Sequence, residues 1–183
     1  PLPVATVVML IETKGKRMFE GAITALITPF NDDYSIDFEA LDKLIETQIE
    51  QGIEGIVPCG STGEAITMSL DERCAVIERT IKMVNKRVPV IAGTGGSATA
   101  EVVEATKRAL ELGADGALIN TPAYNKPQQE GLYLHYAAVA KAVPELPVML
   151  YNIPRRTAVL METHVIERLC NDFPKVFVAY KYA

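Results

Sequence analysis

Tryptophan is missing, histidine occurs twice and cysteine three times in 183 residues. The lack of tryptophan decides nothing. His135 and His164 are too few for a histidine-rich metal site. Cys59, Cys74 and Cys170 are odd in number and widely spaced, which fits neither a disulfide framework nor zinc-ligand spacing. No metal is therefore expected, and the free thiols point to a reducing, cytoplasmic compartment. No stretch approaches the ~20 apolar residues of a membrane span. Positive charge is also short: 18 Lys and Arg against 23 Asp and Glu leave a net −5. A phosphate backbone would be repelled, so no nucleic-acid partner is expected. What is present is the ordinary composition of a globular domain, 49% hydrophobic and 22% charged. A chain of this length buries a core without staples.

Residues 1–17 are unlike the rest. Val4–Ile11 is apolar, and the basic Lys14, Lys16 and Arg17 follow it. A secretory leader has the reverse order, charge first. Residues 1–17 read as an extension before Met18, and residues 18–183 as the N-terminal part of a catalytic domain. From Phe19 the chain alternates. Apolar runs begin near residues 22, 55, 88, 116, 147 and 176, at near-even steps, and a helical pattern fills each interval. Phe38, Leu41, Leu44, Ile45 and Ile49 share a helical face that Gly52 ends. Ser69 with Glu72 makes a capping box, and Gly113 stops a helix from about Thr99 to Leu112. Several runs lack polar alternation, as strands buried on both faces do. Strands joined by crossover helices make a parallel α/β architecture. The even step favours a (β/α)8 TIM barrel, which needs eight units and about 250 residues. About six units are present. A six-stranded piece would leave Ile23, Ala25 and Phe177 near an open gap, so the chain alone is expected to be marginal or associated.

In such a barrel chemistry gathers where strands end. Those positions hold Gly60-Ser61-Thr62-Gly63-Glu64, Thr121-Pro122-Ala123-Tyr124-Asn125-Lys126-Pro127, Tyr151-Asn152-Ile153-Pro154-Arg155-Arg156-Thr157 and Tyr180-Lys181-Tyr182. Lys181 follows a buried strand. Desolvation would lower its pKa, and a neutral amine attacks carbonyls to form a Schiff base. The plainer reading is a lysine near the chain end reaching into water. Tyr151 would relay protons, or be a core tyrosine with a satisfied hydroxyl. Arg156 would grip a carboxylate, or lie solvated on the surface. The Gly60–Gly63 turn would offer amides and hydroxyls to an anion, or simply turn the chain. Cys59, inside an apolar strand, reads as an inert thiol. The two histidines read as structural or solvated.

Gly93-Thr94-Gly95-Gly96-Ser97-Ala98 fits the G-x-G-x-x-A dinucleotide pattern, with Asp115 at a suitable distance. A ribose-binding acid should end the next strand, however, and Asp115 precedes it. Nicotinamide binding is therefore the weaker reading.

From Met18 to Lys181 the chain resembles the dihydrodipicolinate synthase family of pyruvate-dependent class I aldolases. The first three strand-end segments above carry the likeness, together with Val90-Ile91-Ala92-Gly93-Thr94-Gly95 and Gln128-Gln129-Glu130-Gly131-Leu132, in family order and spacing. The resemblance implies that Lys181 forms a Schiff base with pyruvate and that Tyr151 relays protons. It implies that Thr62 links Tyr151 to Tyr124 through hydroxyls, and that Ser61 and Thr62 hold the pyruvate carboxylate. Tyr124 would enter a neighbouring subunit's site, and Arg156 would bind the carboxylate of aspartate semialdehyde. The implied reaction makes 4-hydroxy-tetrahydrodipicolinate on the way to diaminopimelate and lysine. It needs no cofactor, and the implied assembly is a homo-oligomer, a dimer of dimers. The chain departs from the family around the lysine, where Ala179-Tyr180-Lys181-Tyr182-Ala183 replaces the usual Gly-Ile/Val-Lys-Glu/Asp-Ala. The interval from Tyr151 to Lys181 is also slightly long. Ala123 stands where a second tyrosine is frequent, which implies weak lysine feedback. Alternatives are a related pyruvate aldolase such as N-acetylneuraminate lyase, which lacks a pair like Arg156-Thr157, and an inactive barrel fragment.

Overall fold

The computed structural model describes residues 7–10 and 19–183. The basic cluster at residues 14–17 and the candidate start at residue 18 lie outside the described residues.

Helices form where the apolar spacing repeats at about 3.6 residues and polar caps close the ends. They are α1 (Phe38–Glu50), α2 (Leu70–Val84), α3 (Thr99–Leu112), α4 (Gln129–Ala142), the single turn α5 (Pro154–Thr157) and α6 (Thr163–Asp172). Asp37 caps α1 by accepting from the Ala40 amide at 2.9 Å. Ser69 and Glu72 make the capping box of α2, and Gly113, at φ +91°, ends α3 in the left-handed region that glycine enters freely.

The strands are β1 (Val7–Leu10), β2 (Ile23–Ala25), β3 (Gly55–Val57), β4 (Ile91–Gly93), β5 (Gly116–Asn120), β6 (Val148–Asn152) and β7 (Phe177–Tyr182). β2 pairs with β3, and β4, β5, β6 and β7 pair in succession, all parallel. A bridge from Ile56 to Val90 joins the two groups. The strands from β2 to β7 thus stand side by side in chain order, each crossing over through helix on the outer side. This is a run of six βα-barrel strands. Among the described residues no helix is long and apolar enough to cross a membrane.

Two apolar cores follow from the alternation of side chains along a strand. One lies between strands and helices, with Ile56, Ala92, Ala117 and Leu150 meeting Leu41, Ile45, Val76 and Val102. The other fills the concave face, where Val57, Ile91, Leu118 and Met149 are covered by Phe19, 1% exposed.

The expected open edge is not bare. β1 lies antiparallel along β7, with Val8 opposite Lys181 and Leu10 opposite Ala179. Backbone pairing has satisfied the N–H and C=O groups that an uncovered edge presents. Phe177, beyond the reach of β1, is buried on the helix side against Tyr136 and Phe173, while Ile23 and Ala25 are half-buried.

Candidate active site

The turn after β3 is held in a costly shape. Cys59 and Glu64, which flank Gly60–Gly63, both take φ +55°. A non-glycine residue enters this left-handed region only when its surroundings impose it. Here the constraints are visible. The buried Thr28 hydroxyl donates to the Gly63 carbonyl at 2.8 Å. A Cβ on Gly63 would sit 2.8 Å from the Leu26 carbonyl oxygen, and one on Gly93 only 1.9 Å from that of Cys59. The glycine pattern of residues 93–95 therefore serves close packing: a Cβ on Gly95 would likewise strike Asn120 Oδ1 at 2.0 Å. Asp115 accepts from the Val90 amide at 2.9 Å, at the opposite end of the strands. That removes the acid from the nicotinamide reading.

The turn and the ends of β4, β5 and β6 enclose a cavity of about 550 Å3, lined by Ser61, Gly95, Asn120, Tyr151, Arg156 and Thr157 among others. Tyr151, on β6, is 6% exposed. Burial pushes its hydroxyl pKa up, and the nearby Ser61 hydroxyl and Arg156 charge pull it down. Lys181, on β7, pairs in register with Tyr151. Its Nζ stands 4.5 Å from the centre of the Tyr151 ring. Burial lowers its pKa from 10.5. A cation over a ring face gains some attraction, but among the described residues no carboxylate forms an ion pair with this amine.

Arg156 rides on α5, which begins at Pro154 and ends at Ala158 with φ +58°. Two buried polar knots hold it. The Thr121 hydroxyl donates to that of Thr157 at 3.0 Å, and Thr157 in turn donates to the carbonyls of Ile153 and Val159. Asn152, wholly buried, donates to the Met161 carbonyl and accepts from its amide, and also bonds the Tyr180 hydroxyl. Thr28, Thr121 and Asn152 carry no role in the sequence reading, and Thr157 enters it only as the neighbour of Arg156. Their one signal is a polar side chain at the end of a run otherwise buried.

Thr62 is exposed and lies outside the cavity lining, and among the described residues no hydrogen bond joins it to Tyr151 or Tyr124. Ser61, likewise exposed, lines the cavity together with Tyr151. The turn closes through the Gly63 amide on the Gly60 carbonyl, and neighbouring residues of so tight a turn project differently. Tyr124, at φ +72°, is 91% exposed, and its side chain makes no hydrogen bond among the described residues. Arg156 is exposed at the cavity rim. Cys59 is buried, and burial pushes its thiol up to about 12, as suits an inert thiol. His135 is buried in α4 and His164 exposed on α6. Among the described residues no group of three His, Cys, Asp or Glu side chains could hold a metal ion.

Comparison with known proteins agrees with this geometry. The profile of the dihydrodipicolinate synthetase family matches residues 18–183. A 4-hydroxy-tetrahydrodipicolinate synthase of Geobacter metallireducens is 54% identical over 166 residues, covering 91% of this chain and 56% of its own. One from Pelobacter propionicus is 53% identical over 152 residues, 83% of this chain and 52% of its own. Among solved structures, the dihydrodipicolinate synthase of Acinetobacter baumannii complexed with pyruvate superposes with a TM-score of 0.81 at 51% identity, over 83% of this chain and 52% of that one. That of Aquifex aeolicus gives 0.84 at 46%, over 86% and 53%. The chain spans about half the length of the curated relatives it matches.

Proposed function

Because the chain belongs to the dihydrodipicolinate synthetase family, we propose that it carries the Schiff-base half of a lyase that condenses pyruvate with L-aspartate 4-semialdehyde. The product is 4-hydroxy-tetrahydrodipicolinate, on the route to diaminopimelate and lysine. The observation that carries the proposal is the Lys181 amine, its pKa lowered by burial and its Nζ over the Tyr151 ring at the strand end.

The neutral amine attacks the pyruvate keto carbon, and the carbinolamine loses water to give an imine. A methyl proton then leaves to give an enamine, which adds to the aldehyde carbon of the semialdehyde. The substrate's own amine closes on the imine carbon and expels Lys181 unchanged. Each step moves a proton, and Tyr151 is the relay, with a hydroxyl of the Ser61–Thr62 pair as its partner. The amides and hydroxyls of Gly60–Thr62 hold the pyruvate carboxylate. Arg156 at the rim takes the carboxylate of the semialdehyde as a charge-assisted pair. No metal or organic cofactor has a role. Tyr124, exposed to solvent, completes the site of a second copy, within a homotetramer working in the cytoplasm. Residues 18–183 form the N-terminal part of a barrel catalytic domain, with residues 1–17 as an extension.

Pyruvate followed by borohydride tests the reading. A reduced pyruvyl adduct mapped to Lys181 is expected. A folded protein that gains no mass, or that gains it on another lysine, overturns it.

A further inference from the structure

β7 breaks the alternation that its neighbours keep. In β5 and β6 every second residue faces the helices, as Ala117, Ile119, Val148 and Leu150 do, and those between face the concave side. In β7, Phe177 packs with the helix-side core. The next two residues, Val178 and Ala179, both join the concave core, and Tyr180 returns to the helix side. The pairing says the same: Val148 stands opposite Phe177, but Met149 stands opposite Ala179. One extra residue is absorbed there, which is a β-bulge.

The bulge decides the face of the lysine. A straight strand counted from Phe177 would put Tyr180 opposite Tyr151 and Lys181 opposite Asn152. Every side chain after Val178 would then change face, and Tyr180 would fill the cavity. The amine would enter the apolar layer beneath the helices, where an unpaired charge is heavily penalised. The bulge returns Lys181 to the register of Tyr151 and to the concave side.

We infer that the bulge at Val178 is the positioning device for Lys181. It absorbs one surplus residue between Phe177 and the lysine. The lysine's chemical role rests on the function proposed above; its placement does not. By parity, removing Val178 leaves a straight strand that still sets Lys181 opposite Tyr151. Removing both Val178 and Ala179 sets it opposite Leu150, facing the helices.

Cysteine pairs read the placement without catalysis. In the otherwise unchanged chain, Tyr151→Cys with Lys181→Cys should cross-link through a short bis-thiol reagent, and Asn152→Cys with Lys181→Cys should not. The reverse preference would overturn the inference without any deletion having to fold. Pyruvate and borohydride, applied to the parent and the two deletions, read the consequence. The adduct should be kept without Val178 and lost without Val178 and Ala179. A ΔVal178 protein with parental circular dichroism that loses an adduct the parent forms would also overturn it. A parent that cross-links at 151 and 181 yet takes up no pyruvate would instead sink the proposed function and leave the bulge standing.

Discussion

Acid should weaken this fold through His135. The ring is 4% exposed on α4 and stacks edge-on against Tyr136. Its Nδ1 is 2.9 Å from the Thr99 hydroxyl, and its Nε2 is buried without a partner. Burial lowers its pKa from 6.5 to about 4. The unfolded histidine therefore takes up a proton before the folded one does. Between pH 6.5 and about 4 the unfolded chain binds more protons, so stability falls as pH falls. Linkage at about 1.4 kcal/mol per pH unit makes the loss between pH 7 and pH 5 about 2 kcal/mol, approaching about 3 kcal/mol near pH 4. Against a total of roughly 5–15 kcal/mol that is a large share. Urea unfolding at pH 7 and pH 5, for the parent and for His135→Leu, isolates the effect, because the carboxylates titrate alike in both. The parent should lose about 2 kcal/mol more than the variant over this range. Equal acid losses in the two proteins would refute the argument that the buried imidazole must stay neutral.

Imine formation with pyruvate should speed up as pH rises and level off below pH 10.5, because burial lowers the Lys181 pKa; a midpoint at or above 10.5 in borohydride trapping would contradict a desolvated amine. Gly93→Ala puts a Cβ 1.9 Å from the Cys59 carbonyl; this should cost about 1–3 kcal/mol in thermal unfolding and reduce pyruvate trapping by moving Ser61, so a variant with unchanged melting and trapping would refute the close packing. Asn152→Leu strands the Met161 amide and carbonyl; a loss of about 1–3 kcal/mol is expected, read by urea unfolding, and an unchanged midpoint would count against the clamp. With Ala123 lacking the ring and hydroxyl of a tyrosine, a lysine effector site should be weaker by about 1–3 kcal/mol; strong inhibition of the intact enzyme by sub-millimolar lysine would show otherwise.

Much of the architecture was legible in local chemistry. The 3.6-residue spacing of Leu41, Ile45 and Ile49, the Ser69–Glu72 box and Gly113 placed α1, α2 and α3, because helix bonds and caps join residues close in sequence. The recurring apolar runs placed the strands for a similar reason: a strand buried on both faces has few polar positions. Nothing in the neighbourhood of Pro154 announced that residues 154–157 would close into the separate turn α5.

The candidate site was legible as a set of residues and not as an arrangement. Tyr151, Lys181 and Arg156 stand out because a hydroxyl, an amine and a guanidinium end apolar runs. Which turn hydroxyl serves Tyr151 depends on how Thr28 and Gly93 bend residues 59–64, and those contacts join positions some 30 residues apart. The slightly long interval before Lys181 was visible in the sequence. Its resolution in a bulge was not, since pairing with β6 and the penalty for burying an amine under the helices settle it together. The same holds for the edge of β7. Residues 7–10 are a short apolar run with nothing to say where they pair, and only the unpaired N–H and C=O groups of a strand far along the chain give them their place. Sequence by itself determined which residues are helical, extended and chemically able. Tertiary structure decided which face each one shows, because that choice is made by partners distant in the chain.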